Sequence, residues 1–236
     1  MTMKYGVIKD GEFEERELID ITAKGFKGTM KGREGTYDQY VAKEINAAYG
    51  VLECEDKVVL DIGANIGCFT KLALEKGAKH VVSIEPEPNN YNMLDLNTTG
   101  HHDRVTLYNS ALTPFPSEPL TLFLSNTGKN PGNSSLHARR GRFQIEVPCV
   151  SVEHIFKEHP DIEVAKIDCE GAEFDLLPRL TKYPLKQIAL EFHINGFSTG
   201  AVREAHQLLI ADGWIATHEP RIQENLWQTL AAYRRA

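Results

Sequence analysis

Between Lys57 and Tyr108 apolar and polar positions alternate in a regular rhythm. Val58–Asp61 is a short apolar run closed by a carboxylate, and Ile66, Phe69, Leu72 and Ala73 then recur at helical spacing up to Gly77. Val81–Glu85 predicts a second strand, Pro88 to Asn97 a helix with proline in its first turn, and Val105–Tyr108 a third strand. Such strand–helix repeats predict a parallel sheet with crossover helices. The rhythm resumes with a strand at Val164–Asp168, a helix over Gly171–Leu180 interrupted by Pro178, and a strand at Ile188–Phe192. Ala201, Val202, Ala205, Leu208 and Leu209 mark one face of a helix that ends at Gly213. Trp214–Thr217 and Leu226–Tyr233 predict a closing antiparallel hairpin.

Two regions break this rhythm. Residues 1–35 hold short strand-like pieces, Tyr5–Ile8 and Glu12–Phe13, between glycine turns. Tyr40, Val41, Glu44, Ile45 and Ala48 then predict a helix stopped by Gly50. The division expected is an N-terminal extension over residues 1–50 packing on a domain over 51–236. In the middle, strands at Leu120–Leu124 and Phe143–Val147 flank a polar loop, Ser125 to Arg142, long enough to be functional or disordered.

Composition narrows the classes. A chain of 236 residues with 42% hydrophobic and 25% charged content fits one globular domain with a real core. Its net charge of −7 argues against coating nucleic acid or an anionic membrane. Cys54, Cys68, Cys149 and Cys169 are scattered, without metal-ligand spacing. With no apolar leader or spanning run, a cytoplasmic protein is expected.

The run Asp61-Ile62-Gly63-Ala64-Asn65-Ile66-Gly67 stands where the first strand turns into a helix. Open α/β sheets hold nucleotide-like ligands at this turn, and the glycines allow a close backbone approach. A helix N-terminus welcomes phosphate, whereas a carboxylate beside it repels pyrophosphate. Asn65 also stands where a dinucleotide fingerprint has glycine. A ligand with an ammonium and a sulfonium, such as S-adenosylmethionine, suits the turn better. Glu85, at the end of the second strand, is placed to accept the ribose hydroxyls, and Asn109, after the third, to meet the adenosine end.

Two later strands end in Lys166-Ile167-Asp168-Cys169-Glu170-Gly171-Ala172-Glu173 and Leu190-Glu191-Phe192-His193. Asp168, Glu170, Glu191 and His193 should therefore converge on the carboxyl edge of the sheet, a crowding typical of acid–base or metal sites. Asp168 is the first choice for orienting or deprotonating an acceptor, with Glu191, His193 and Glu170 beside it. Glu173 reads as a capping group. A divalent metal here is chemically reasonable but not predicted.

At these residues the chain resembles the FkbM family of S-adenosylmethionine-dependent methyltransferases. The resemblance runs from about Lys57 to His193. Besides the runs above it includes Ile84-Glu85-Pro86, Asn97, Asn109-Ser110-Ala111, Gly132-Asn133-Ser134-Ser135 and Val150-Ser151-Val152-Glu153. Glu153 stands where the family pattern has Asp. The resemblance implies a Rossmann-like class I methyltransferase fold: seven strands, mostly parallel, with an antiparallel C-terminal hairpin. It implies methyl transfer to a hydroxyl of a sugar, glycan or natural-product-like small molecule. By position Asp61, Gly63 and Asn65, with Gly67, would surround the methionine part, Glu85 the ribose and Asn109 the adenosine side. Asp168 would face the methyl group.

In the polar loop, Ser134 and Ser135 are placed to close over the cofactor. His137, Arg139, Arg140 and Arg142 are candidates for recognising an anionic or polyhydroxyl acceptor, although a solvated loop is the plainer reading. Tyr37 and Tyr40 are candidates to roof the pocket. Alternatives to O-methylation are N-methylation of an amide or amine, a nicotinamide-dependent oxidoreductase, and a non-catalytic cofactor-binding module.

Overall fold

A computed structural model describes residues 5–130, 132–136, 142–194, 199–221 and 227–235. Its centre is a sheet of β1 (Val58–Ile62), β2 (His80–Ile84), β3 (Val105–Tyr108), β4 (Ile162–Ile167), β5 (Gln187–His193), β6 (Ile215–His218) and β7 (Gln228–Arg234). The spatial order is 3-2-1-4-5-7-6. Strands β1 to β5 pair in parallel, and β7 enters antiparallel between β5 and β6. This is the mostly parallel α/β sheet expected, with the order reversing between β1 and β4. A crevice for a ligand opens at such a switch point.

Among the described residues six α-helices accompany the sheet: α1 (Asp38–Tyr49), α2 (Cys68–Glu75), α3 (Pro88–Thr98), α4 (Val152–Glu158), α5 (Glu173–Leu180) and α6 (Thr199–Ala211). Strand alternation divides the core into two layers. Leu60, Ile62, Val82, Ile167 and Leu190 pack with Ile155, Leu176 and Leu180 of α4 and α5. Val59, Val81, Val164 and Ala189 face the opposite way, against Ile45 and Tyr49 of α1 and Phe69 and Leu72 of α2. Because side chains alternate along a strand, Asp61 and Lys166 follow Val59 and Val164 into the α1–α2 layer.

The N-terminal arm forms two antiparallel hairpins, Gly6–Lys9 with Glu12–Glu15 and Leu18–Ile21 with Met30–Arg33. The sequence pattern had shown strand-like pieces only in the first. Ile21 and Met30 join the α1–α2 core. Buried Arg33 fastens the arm, donating to Asp38 at 2.9 and 3.0 Å, to Asn90 of α3 at 2.9 Å and to the Gly6 carbonyl at 3.1 Å. In the middle, Leu120–Phe123 pairs with Gln144–Val147 as expected. A short parallel pair, Ala111–Thr113 with Cys149–Ser151, and α4 were not foreseen; Ser151 caps α4 by accepting from the His154 amide at 3.1 Å.

Gly63 joins the two halves of the switch point. Its φ is +72°, and a Cβ there would lie 1.8 Å from the Asp168 carbonyl oxygen. Gly63→Ala is expected to lower unfolding free energy by about 2–5 kcal/mol, from left-handed strain plus overpacking, as read from the urea midpoint.

Candidate active site

A cavity of about 630 Å³ opens at the carboxyl edge, within the range of small-molecule sites. The β1–α2 turn, the ends of β2, β4 and β5, strand β7, one face of α1 and part of the loop at Asn130–Leu136 line it. Among the predicted site residues, Gly63, Asn65, Glu85, Ser134, Asp168, Glu170, Glu191 and His193 stand on its wall, as do Tyr37 and Tyr40. Asp61, Gly67 and Asn109 do not.

At the cofactor end, Glu85 accepts from the backbone amides of Asn65 at 2.8 Å and Glu87 at 2.9 Å. Burial raises its pKa to about 7, against the lowering effect of those amides. Asn65 holds a left-handed conformation, φ 53°, and its Oδ1 is buried without a hydrogen-bond partner among the described residues. Ile84, Pro86, Ala111, Leu112 and Leu122 add an apolar slot. A carboxylate for a ribose, an unsatisfied amide oxygen and an apolar slot fit S-adenosylmethionine. Asn109 acts from behind, donating to the carbonyls of Glu85 at 2.9 Å and Pro86 at 3.3 Å. Gly67 serves helix packing: it precedes α2 with φ +90°, and a Cβ would meet Leu94 at 2.9 Å.

The contacts of Asp61 lie inside the protein. It is fully buried in the α1–α2 layer, where one oxygen accepts from Thr70 Oγ1 at 2.7 Å and the other lies 3.3 Å from Lys166 Nζ. Lys166 is its direct partner across β1 and β4. This ammonium also donates to the carbonyls of Gly63 at 2.6 Å and Ile62 at 3.2 Å, and lies 3.7 Å from Asp168. Burial works against the Lys166 charge, but Asp61 and Asp168 outweigh it and raise the pKa. Asp61 therefore faces an internal cation and is not among the residues that line the cavity. Lys166, which the sequence argument passed over, ties the cofactor turn to the chemical rim.

That rim holds four carboxylates around one imidazole. His193 Nδ1 lies 2.8 Å from Glu173, and Nε2 lies 3.6 Å from Glu170, 3.8 Å from Glu191 and 3.9 Å from Asp168. Burial disfavours the charged ring, but the bond to Glu173 and the surrounding carboxylates win, raising the His193 pKa to about 10. These carboxylates favour the imidazolium form of His193. Burial, reinforced by Asp168, lifts Glu191 to about 8. Asp168 accepts from Tyr49 Oη at 3.0 Å, which anchors the C-terminal end of α1 to the rim. Glu173, read as a cap, accepts from the amides of Cys169 at 2.9 Å and Gly171 at 2.8 Å and is fully buried. Asp168, Glu173 and His193 bring potential ligand atoms within 4.8 Å of one another.

Loop contacts are specific as well. Ser135 Oγ donates to the Glu170 carbonyl at 2.7 Å, and Arg142 donates to Asn133 Oδ1 at 2.7 Å, so Arg142 is engaged within the loop. His137, Arg139 and Arg140 lie outside the described residues. Lys166→Met should destabilise the fold by about 3–5 kcal/mol, because Asp61 is left buried and unpaired. The double variant Lys166→Met/Asp61→Asn should recover part of that loss in urea unfolding.

The sequence profile of the methyltransferase FkbM domain matches residues 61–211. No protein of curated function matches the chain. Among solved structures, precorrin-6y C5,15-methyltransferase from Geobacter metallireducens is 12% identical, with a TM-score of 0.49 over 87% of this chain and 93% of that one. Sp1610 from Streptococcus pneumoniae, to which tRNA (m1A22) methylation is provisionally ascribed, is 9% identical, with a TM-score of 0.50 over 82% of this chain and 70% of that one. At such identities the likeness is one of fold. The family match sets aside the nicotinamide-dependent oxidoreductase and the non-catalytic module. The chain belongs to the FkbM family and is an S-adenosylmethionine-dependent methyltransferase.

Proposed function

We propose that the acceptor is a hydroxyl on a neutral sugar-like or natural-product-like small molecule. The observation that carries this reading is the charge of the cavity. Among its described lining residues the only basic side chains are Lys166 and His193, and both are flanked by carboxylates. Among these described residues an anionic acceptor would find no cation without a carboxylate beside it, whereas hydroxyl donors would find Glu191, Asp168 and Glu170. The cofactor, when bound, supplies an electrophilic methyl group on a sulfonium.

In this reading Asp168, held by Tyr49 and near Lys166, accepts a hydrogen bond from the acceptor hydroxyl and orients its oxygen. Glu191, with the raised pKa, takes the proton as the oxygen gains the methyl group and S-adenosylhomocysteine departs. A base with a pKa near the working pH is the effective one. His193 stays protonated and keeps the carboxylates from repelling one another apart. Positioning accounts for much of the remaining barrier reduction.

The pH dependence follows. Below about 8 Glu191 carries a proton and cannot accept another, so kcat/KM should climb with pH and level off above that value. It should fall again near 10 as His193 loses its charge. Glu191→Gln should lower kcat/KM roughly 10²–10³-fold and abolish the rise near pH 8, measured by S-adenosylhomocysteine release over a panel of hydroxylated acceptors. Full activity of Glu191→Gln would move the base elsewhere. In this reading activity also survives EDTA, because the Glu173 carboxylate is engaged by His193 and by the amides of Cys169 and Gly171; loss on chelation and recovery with a divalent ion would overturn that assignment.

A further inference from the structure

We infer that Gln228 selects the acceptor: its amide hydrogen-bonds a second hydroxyl beside the one methylated, so the favoured acceptor is a ring carrying a vicinal diol. This rests on the hydroxyl-acceptor reading above. The inference comes from the β5–β7 pairing, in which Gln228 stands directly opposite His193 and Leu230 opposite Glu191. Residues opposite one another in an antiparallel pair share a face, as do residues two apart along a strand. All four therefore form one patch, and all four line the cavity.

The members of the patch differ in what they leave available. Glu173 and the flanking carboxylates engage His193. Leu230 supplies a partly buried apolar floor. Gln228 is exposed at the mouth, and its side chain makes no hydrogen bond to any described residue. An amide can either donate to or accept from a neutral hydroxyl, whereas a carboxylate only accepts and an ammonium only donates. Glu191 and Gln228 are diagonal neighbours, with backbones about 7–8 Å apart. Hydrogen bonds of about 2.8 Å from each leave room between them for two adjacent ring oxygens. One hydroxyl then meets the base while its neighbour is held by the amide.

The test uses the full chain saturated with S-adenosylhomocysteine, titrated with methyl pyranosides bearing a vicinal diol and with their monodeoxy counterparts. Binding is followed by saturation-transfer NMR and calorimetry. Wild type should prefer the diols roughly tenfold, the worth of one such hydrogen bond. Gln228→Leu and Gln228→Ala should erase that preference and leave S-adenosylhomocysteine affinity unchanged, which also reports an intact fold. Retention of the preference in both variants, or no pyranoside binding to wild type, would overturn the inference. The two readings fail separately. Coupled binding without any methyl transfer would sink hydroxyl methylation alone. Methyl transfer to pyranosides with the same diol preference in Gln228→Leu would sink the role of Gln228 alone.

Discussion

The arrangement depends on burying one ammonium group at the seam of the sheet. Lys166 lies on β4 beside Asp61 on β1, and Asp61 lies beside Ser83 on β2. Thr70 of α2 bridges the carboxylate and Ser83, at 2.7 and 2.8 Å. Ionised groups so far from water are tolerated only when paired and hydrogen-bonded. The pairing fixes β1 against β4 at the point where the strand order reverses. The same ammonium reaches the Gly63 carbonyl in the β1–α2 turn and approaches Asp168 on the rim. Cofactor turn and chemical rim are thereby held in one register, which methyl transfer needs because alignment is most of the work.

Around this seam the chemical groups separate by environment. Glu191 and His193 look interchangeable as neighbours at strand ends, yet burial raises the pKa of Glu191 whereas the surrounding carboxylates raise that of His193. Glu173, bonded to Nδ1, gives the strongest upward push to the His193 pKa. Glu191, partly buried with its nearest cation shared among several carboxylates, becomes the group most ready to hold a proton.

The central strands and helices were legible because each apolar run is bounded by glycine, proline or charge, as at Val105–Tyr108, whose bounds match β3. The convergence of Asp168, Glu170, Glu191 and His193 was legible for the related reason that parallel strands deliver their last residues to one edge. What Asp61 faces was not. A strand buried on both sides, such as Val58–Ile62, shows no polar alternation to reveal which way a residue points. The useful signal was Lys166, an ionisable group inside another apolar run, which demands an opposite charge nearby. The hairpin at Leu18–Arg33 and the three-residue strands at Ala111 and Cys149 were hidden by their brevity. Gln228 was invisible for a topological reason, since its placement beside His193 exists only once β7 has inserted next to β5.

The cavity wall is assembled from unequal stretches of chain. The family match covers the turn, the seam and the rim, from 61 to 211. Helix α1 and strand β7, which cover the opening, come from before and after that span. Tyr49 touches the rim at Asp168, while Leu230 and Gln228 stand opposite Glu191 and His193. A chain built this way can exchange its flanks while the reacting groups keep their spacing. Acceptor preference and methyl-transfer chemistry can then diverge at different rates within one lineage.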